Sequence, residues 1–395
     1  MSDEAKFSWL IPFLGALSAL APLSNDLYVP SLPLVAAGLN AGIGPVQLTL
    51  STMLLGLALG SVIYGPLSDQ YGRKPILCIG LVVYVLAGVF SALSTDLTQL
   101  VAWRFLQGLG ASSANVLARA IILDKWRGSQ ASRALSWVAM VTFLSPVLAP
   151  IVGGYVAGLG FWQTVFWLHA LAGAVCLVLS LTMLPAAERD PHARLLQKIA
   201  AYGFILKDKQ ALGYMACTGL GFVGVVAFVS NSSFVFVEYF ELEPYQYGYC
   251  FSMIMLGGTL GAFANSRFVA RLGITRMIGI GTLAMAAGGV AALLATAAGG
   301  GIFGILVPAV LYMFGVGFVF ANSMARTLSR FPRSMGAASA VFGVNQFLIG
   351  ALVAAVLSLL SEPSPLPLVA AMAAAGLGGA AVFWGWLRRH APVTD

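Results

Sequence analysis

The chain has 395 residues, 59% of them hydrophobic and 9% charged, with a formal net charge of +7. Soluble domains carry about 25% charged residues, so this composition excludes an ordinary soluble fold and predicts an integral membrane protein. Its apolar segments are continuous runs of about 20 residues, not alternating runs of about 10, which excludes a membrane β-barrel and predicts helices.

Apolar runs between polar breaks predict twelve spans, at 8–29, 47–67, 76–93, 98–118, 132–157, 162–184, 211–236, 247–267, 277–297, 302–324, 336–360 and 366–387. The start MSDEAKFSW reads as the approach to a full-length span, with no cleavable signal peptide. The first span closes on APLSNDLYVPSLP, which places one acid, Asp26, where a membrane helix should carry none. An ionisable group inside a span is costly and marks a functional site by default. Spans 2 and 3 are joined by GPLSDQYGRKP, a tight polar hairpin over Gly65–Pro75. Asp69 ends one span, Arg73 and Lys74 begin the next, Gly72 permits the turn, and Gly65 lets a neighbouring helix approach.

The fourth span carries RFLQGLGASSANVLARA, and Arg104 is the one Lys or Arg well inside any predicted span. It lies about seven residues, or roughly 10 Å, from the outer end of its helix. Asp26 falls at a similar depth if the first helix runs on towards Pro33. Pairing two buried charges costs less than leaving each alone, so Asp26 and Arg104 are expected to face each other, directly or through Asn25 or Gln107. The alternatives are that Asp26 caps a helix among the outer headgroups, with Pro30 and Pro33 ending the span, and that Arg104 snorkels outward. The fifth span reads LSPVLAPIVGGYVAG, where Pro146 and Pro150 predict a kink and Gly153, Gly154 and Gly158 a groove for a close helix neighbour.

In the sixth span His169 is either a proton relay or a neutral histidine bonded to a neighbouring helix. Asn115, Asn231, Asn322, Asn345 and Gln346 are polar positions inside spans, either interhelical glue or substrate contacts. Phe143, Phe222, Phe228, Phe342 and Phe347 either line an apolar pocket or pack ordinarily. Cys78, Cys176, Cys217 and Cys250 fall in or beside apolar runs without metal-ligand spacing, so neither a disulfide nor a metal is expected. No phosphate loop or nucleophile elbow is present, so the chain is not expected to be an enzyme, to use ATP or to need a cofactor.

Every even-numbered connection carries Lys or Arg: Arg73 and Lys74; Lys125, Arg127 and Arg133; Arg189 to Lys209; Arg267, Arg271 and Arg276; Arg326, Arg330 and Arg333; then Arg388 and Arg389 at the end. Odd-numbered connections carry Asp96, Glu238, Glu241, Glu243 and Glu362 instead. The asymmetry predicts both termini in the cytoplasm, and it accounts for the net charge without a nucleic-acid partner. The longest polar connection lies at 185–210. A shift of 201 positions aligns Ser51, Leu55, Gly56, Leu59, Gly60, Gly72, Ile79 and Gly80 with Ser252, Leu256, Gly257, Leu260, Gly261, Gly273, Ile280 and Gly281. The expected organisation is an N-terminal six-helix bundle at 1–184, a cytoplasmic linker at 185–210 and a C-terminal six-helix bundle at 211–395, with a site between the two near mid-membrane.

The hairpin GPLSDQYGRKP, the RFLQG of the fourth span and the proline–glycine run of the fifth together resemble the major facilitator superfamily, and with SNDLYVPSLP its bicyclomycin/chloramphenicol-resistance branch of drug:proton antiporters. The resemblance implies an all-α fold of twelve transmembrane helices in two pseudo-symmetric bundles. It implies a conformational latch at Gly65, Asp69, Gly72, Arg73 and Lys74, and a proton-coupling role for Arg104 and Gln107. It also implies an antiporter motif at Pro146, Pro150, Gly153 and Gly154, with Ala149 where that motif usually has glycine. The second copy of the hairpin, NSRFVARLGITRM, has Ala270 where Asp69 stands, so its latch is expected to be weaker or absent.

The expected function is proton-coupled efflux of small drug-like molecules, phenicol- or bicyclomycin-like, from the bacterial cytoplasm across the inner membrane. Asp26 and Arg104 couple the proton. The candidate substrate contacts are Asn25, Asp26, Tyr28, Gln107, Asn115, Phe143, His169, Phe228, Asn231, Phe342, Asn345 and Gln346. The partners are a drug, protons and the bilayer, and a monomer suffices. Two other readings remain: a proton-coupled transporter of an amino acid or sugar, and a non-transporting receptor or channel.

Overall fold

The computed structural model describes residues 3–126, 128–184, 202–332, 334–359 and 364–390, with side chains from residue 9 onward except at 128, 129, 132, 143 and 390. No β-strand occurs among the described residues. Twelve of their helices are long and apolar enough to cross a membrane: Trp9–Gly38, Ile43–Tyr71, Arg73–Ala92, Leu97–Lys125, Arg133–Ala157, Gln163–Met183, Lys209–Tyr239, Pro244–Leu272, Ile274–Ala297, Gly301–Ser329, Met335–Leu357 and Pro365–Leu387. They are numbered here as spans 1 to 12. Apolar side chains such as Ile79, Val82, Leu86 and Phe90 of span 3 face outward, as lipid contact requires. The protein is a multi-pass membrane protein.

The limits differ from expectation where a polar residue or a proline interrupts the apolar count. Span 1 runs past Val29 to Gly38 as a helix, Asp3–Asp26, a 3₁₀ turn, Val29–Ser31, and a second helix, Leu32–Gly38. Pro30 and Pro33 have no N–H to give to the carbonyls four residues back, so the ladder breaks here without the span ending. Span 4 continues through Arg119 to Lys125, because a polar side chain can line a protein interior without breaking a helix. The 201-residue repeat is visible in the backbone. Gly72 ends span 2 and begins span 3 at φ 97°, and Gly273 does the same for spans 8 and 9 at φ 80°. Both angles favour glycine.

Small residues set the helix spacing. A methyl on Gly108 of span 4 would overlap the Met53 backbone of span 2, and one on Gly261 of span 8 would overlap the Phe314 backbone of span 10. Spans 1–6 meet spans 7–12 chiefly where span 2 lies along span 11 and span 5 along span 8. One end of the molecule carries the acidic connections and is closed. There the Gly154 Cα faces the Pro244–Tyr245 backbone, and that of Gly248 faces Pro150–Ile151. Gln47 Nε2 donates to Asn231 Oδ1 across the seam at 3.0 Å, and Phe228, Phe236, Tyr247 and Phe251 pack in the buried core. Near the midplane Ser51 Oγ donates to the Ala351 carbonyl at 3.0 Å.

The end carrying the basic connections is open. A Cβ on Gly350 of span 11 would lie 3.2 Å from Leu54 of span 2. Gly343 and Gly336 follow on the same helix face at seven-residue steps, and nothing lies within 4 Å of where their Cβ atoms would be. Span 11 therefore has open space on this face from the midplane towards the basic end.

Candidate coupling and substrate site

Asp26 is the last residue of the first helical segment and is 7% exposed. Burial within the protein excludes the headgroup-cap alternative. The direct pair with Arg104 is also absent: among the described residues Asp26 has no ion pair and no side-chain hydrogen bond. Helix geometry gives the reason. Ser24 faces spans 3 and 4, its Oγ 2.5 Å from the Tyr84 hydroxyl and its carbonyl accepting from Arg104 Nη1 at 3.3 Å. Two residues on, about 200° around the helix, Asp26 points away from that side. It lies within electrostatic range of the Tyr247 hydroxyl on span 8, which is held by Ser232 Oγ at 2.7 Å.

Arg104 is fully buried and does not snorkel. Its Nη1 donates to Gln107 Oε1 at 2.7 Å as well as to the Ser24 carbonyl. Its guanidinium carbon sits 4.6 Å from the Tyr28 ring centroid and 5.8 Å from that of Phe166. Aromatic faces attract a desolvated cation by about 2 kcal/mol. Tyr28 is fixed through its hydroxyl, 3.0 Å from Thr49 Oγ1. Gln107 Nε2 reaches His169 Nδ1 at 3.4 Å, and the His169 ring stands edge-on to Phe166. The expected bridge through Gln107 thus runs to His169 and not to Asp26. Arg104 Nε and Nη2 and His169 Nε2 have no protein partner. The arrangement is a fixed cation with spare donors, one helix face away from an acid without a counter-ion.

The hairpin at the basic end brings Asp69 and Arg73 into an ion pair. Arg73 also donates from Nε to Asp124 Oδ2 at 2.8 Å and from Nη1 to Ser68 Oγ at 2.6 Å. Sequence reasoning missed Asp124; the available signal was an acid at the end of span 4, beside an otherwise basic connection. Lys74 Nζ donates to the Leu181 and Leu184 carbonyls at 2.8 and 2.7 Å, closing the end of span 6. Gly65 has only Val116 within reach, at 4.0 Å, so no close helix approach requires it here. In the second copy an Arg326–Thr275 hydrogen bond of 2.9 Å and an Asn322–Asn265 bond of 2.5 Å hold the corresponding helices. Asp208, ahead of span 7, takes a forked contact from Arg330 at 2.7–3.0 Å. Burial works against its charge, but Arg330 and the Ala211 and Gln210 amides outweigh it and hold the carboxyl below its usual value.

On span 5 the Gly153 Cα faces the Leu27 backbone, next to Asp26, and Gly154 faces span 8. The run thus touches both the acid's helix and the opposite half. Gly158 meets only its own turn, so the expected groove stops at Gly154. Ala149 is buried.

The other candidates disperse. Phe228 packs against Phe236 and Phe251 in the closed end, and Phe342 against Phe320 in a core at the basic end. Asn345 Nδ2 donates to the Met215 carbonyl at 3.0 Å, acting as glue between spans 7 and 11. Asn231 joins the two halves through Gln47. Asn25 and Asn115 each keep a buried Oδ1 without a partner. Gln346 and Phe222 line a small open-sided hollow of about 10 Å³ with Thr218, Gly221, Val316, Val319 and Phe320. Phe347 packs edge-on to Phe222. The side chain of Phe143 lies outside the described residues, as do Arg127, Arg333, Glu362 and residues 185–201 of the linker.

Residues 14–355 match the family model described as the Major Facilitator Superfamily. The chain is 29% identical to a bicyclomycin resistance protein homolog of Haemophilus influenzae over 95% of each chain. It is 32% identical to the multidrug resistance protein MdtL of Shigella flexneri, covering 84% of this chain and 83% of that one. A partially occluded inward-open structure of the xylose transporter XylE from E. coli superposes with a TM-score of 0.79 at 15% identity, over 97% of this chain and 98% of that one.

Proposed function

Because this chain belongs to the Major Facilitator Superfamily, we propose that it exports small drug-like molecules from the bacterial cytoplasm in exchange for protons. The observation that carries the reading is Asp26: an acid buried between two helix segments, without a counter-ion among the described residues, beside the seam of the two halves. The relatives named for bicyclomycin and multidrug resistance support the substrate class. In this reading the open end and both termini are cytoplasmic, which the charge of the basic connections supports. The chain acts as a transporter in the inner membrane, not as an enzyme.

The two halves, 1–184 and 211–395, rock about the contacts of span 2 with span 11 and span 5 with span 8. In the state described, cytoplasmic solute reaches the cleft while Gly154 and Gly248 keep the periplasmic end shut. Asp26 is tolerated in this low dielectric when protonated. When ionised it needs a cation or donors, which a bound drug, Tyr247 or a reoriented Arg104 supplies. Drug binding and protonation then compete, and the competition makes the exchange obligatory. Each imported proton supplies about 2.3 kcal/mol per 100 mV and about 1.4 kcal/mol per pH unit. Every 1.4 kcal/mol sustains about a tenfold gradient of an uncharged drug at one-to-one exchange.

The test is chloramphenicol efflux in everted vesicles under an imposed pH gradient. Asp26→Asn is expected to insert normally and to lose gradient-driven flux. Full flux in that variant removes Asp26 from the mechanism. Counterflow with labelled amino acids and sugars but not drugs would reassign the substrate.

A further inference from the structure

The acid of the coupling site lies at the closed end, yet the open cleft has a charge of its own. Arg119 sits six residues inside span 4, well away from the Lys125 end. Protein atoms are dense around it while its side chain stays accessible, as on the wall of a cleft. At 100° per residue, Asn115 falls about 20° and Arg119 about 60° from Arg104, so Arg119 continues the line of the face that packs on span 2 earlier in the helix and Asn115 lies between that line and Arg104. The span 2 face is marked by Gly108 against Met53 and by Ser112 against Gly60, and the span 3 face by Gly110 and Ser113 against Gly80.

Arg119 makes no hydrogen bond or ion pair among the described residues. Asn115, one turn deeper, has a buried Oδ1 with no partner. The acids at this end whose side chains are described are all engaged: Asp69 and Asp124 by Arg73, and Asp208 by Arg330. Among the described residues Arg119 is thus a cation without a counter-ion, and the acids described at this end are engaged elsewhere. On span 11, nothing lies within 4 Å of where a Cβ on Gly343 or Gly336 would be.

We propose that Arg119 and Asn115 form a recognition site in the open cleft for solutes bearing an anionic or strongly accepting group beside a hydroxyl or N–H. The guanidinium binds the acceptor in a fork, and the Asn115 oxygen takes the donor. The site selects for anionic and neutral polar drugs and against permanent cations, which meet a like charge before reaching Asp26. The substrate part of this inference rests on the export reading; the charge of the cleft does not.

The experiment therefore has two arms. In a background with Cys78, Cys176, Cys217 and Cys250 replaced by alanine, Gly343→Cys places a thiol in the open cleft. Its reaction rates with an anionic sulfonatoethyl and a cationic trimethylammonioethyl methanethiosulfonate report the local potential. Arg119→Gln is expected to lower the anionic-to-cationic rate ratio about fourfold, as for a unit charge about 10 Å away in water. Arg119→Lys is expected to retain the ratio. In the second arm, everted vesicles carry neutral chloramphenicol, its anionic hemisuccinate ester or cationic ethidium. The wild type is expected to favour the ester over ethidium, and Arg119→Gln to reduce ester flux at least tenfold more than chloramphenicol flux. An unchanged rate ratio, or faster transport of ethidium than of the ester, overturns the proposal. If the wild type moves none of the three, drug export falls, and the rate ratio alone decides whether the cleft attracts anions.

Discussion

Gly154→Ala tests whether the halves rock about the span 5–span 8 contact. In the closed periplasmic end a Cβ on Gly154 would lie 2.5 Å from the Pro244 carbonyl oxygen and 2.9 Å from the Tyr245 Cα. Both are backbone atoms, which cannot rotate aside as a side chain would. Overpacking of this kind costs about 1–3 kcal/mol. The strain exists only while the two backbones touch, so it penalises the inward-open state and spares the outward-open one. The population ratio should shift towards outward-open by about 5- to 150-fold. Double electron–electron resonance between spin labels at Tyr71 and Gly336, both open to solvent or empty space, reads the separation of spans 2 and 11 at the basic end. The expected result is loss of the long-distance population and growth of a shorter one. An unchanged distance distribution in a variant that remains folded refutes the reasoning, because the contact would then not be specific to one state.

Three further outcomes follow from the geometry. Arg104→Lys replaces a planar fork by a point charge and cannot hold Gln107 and the Ser24 carbonyl together; drug-induced proton release in detergent should fall at least about tenfold, and wild-type release would contradict that. Arg73→Ala removes the contacts to Asp69, Asp124 and Ser68 at once, for a loss of about 1–3 kcal/mol that a lowered unfolding midpoint should show. The Asp208 carboxyl is held below its ordinary value, so its contribution is present above that ordinary value and is lost as pH falls through the lower folded one. The stability difference between wild type and Arg330→Gln should therefore be larger at pH 7 than in strong acid, and a difference that grows on acidification would reverse the assignment.

The architecture was legible because it depends on short-range rules. Continuous apolar runs fix twelve spans, and the glycines at 72 and 273 fix two matching turns that tolerate little else. The Gly65–Pro75 hairpin was legible for the same reason, since sequence neighbours make most of it. The partners of the buried polar groups were not legible. Which face of span 1 carries Asp26 depends on where the proline-broken ladder stops, and a 200° difference from Ser24 turns the acid away from Arg104. Tyr28, Tyr84 and Ser24 gave no signal as companions of a guanidinium, since a tyrosine in an apolar run looks like core until its neighbour is known. Asp124 and Arg119 are not legible because an apolar count ends the fourth span at the first charge, while the helix itself runs on to Lys125. Gln47 and Asn231 meet across 184 positions, a register that only the packing of the two halves defines.

The central claim is that drug and proton compete for Asp26. Proton release on adding chloramphenicol to purified protein in weakly buffered detergent measures it directly. A burst of protons that saturates with drug and disappears in Asp26→Asn is the expected result. The same burst from Asp26→Asn, or none from a wild type that binds the drug, would contradict it.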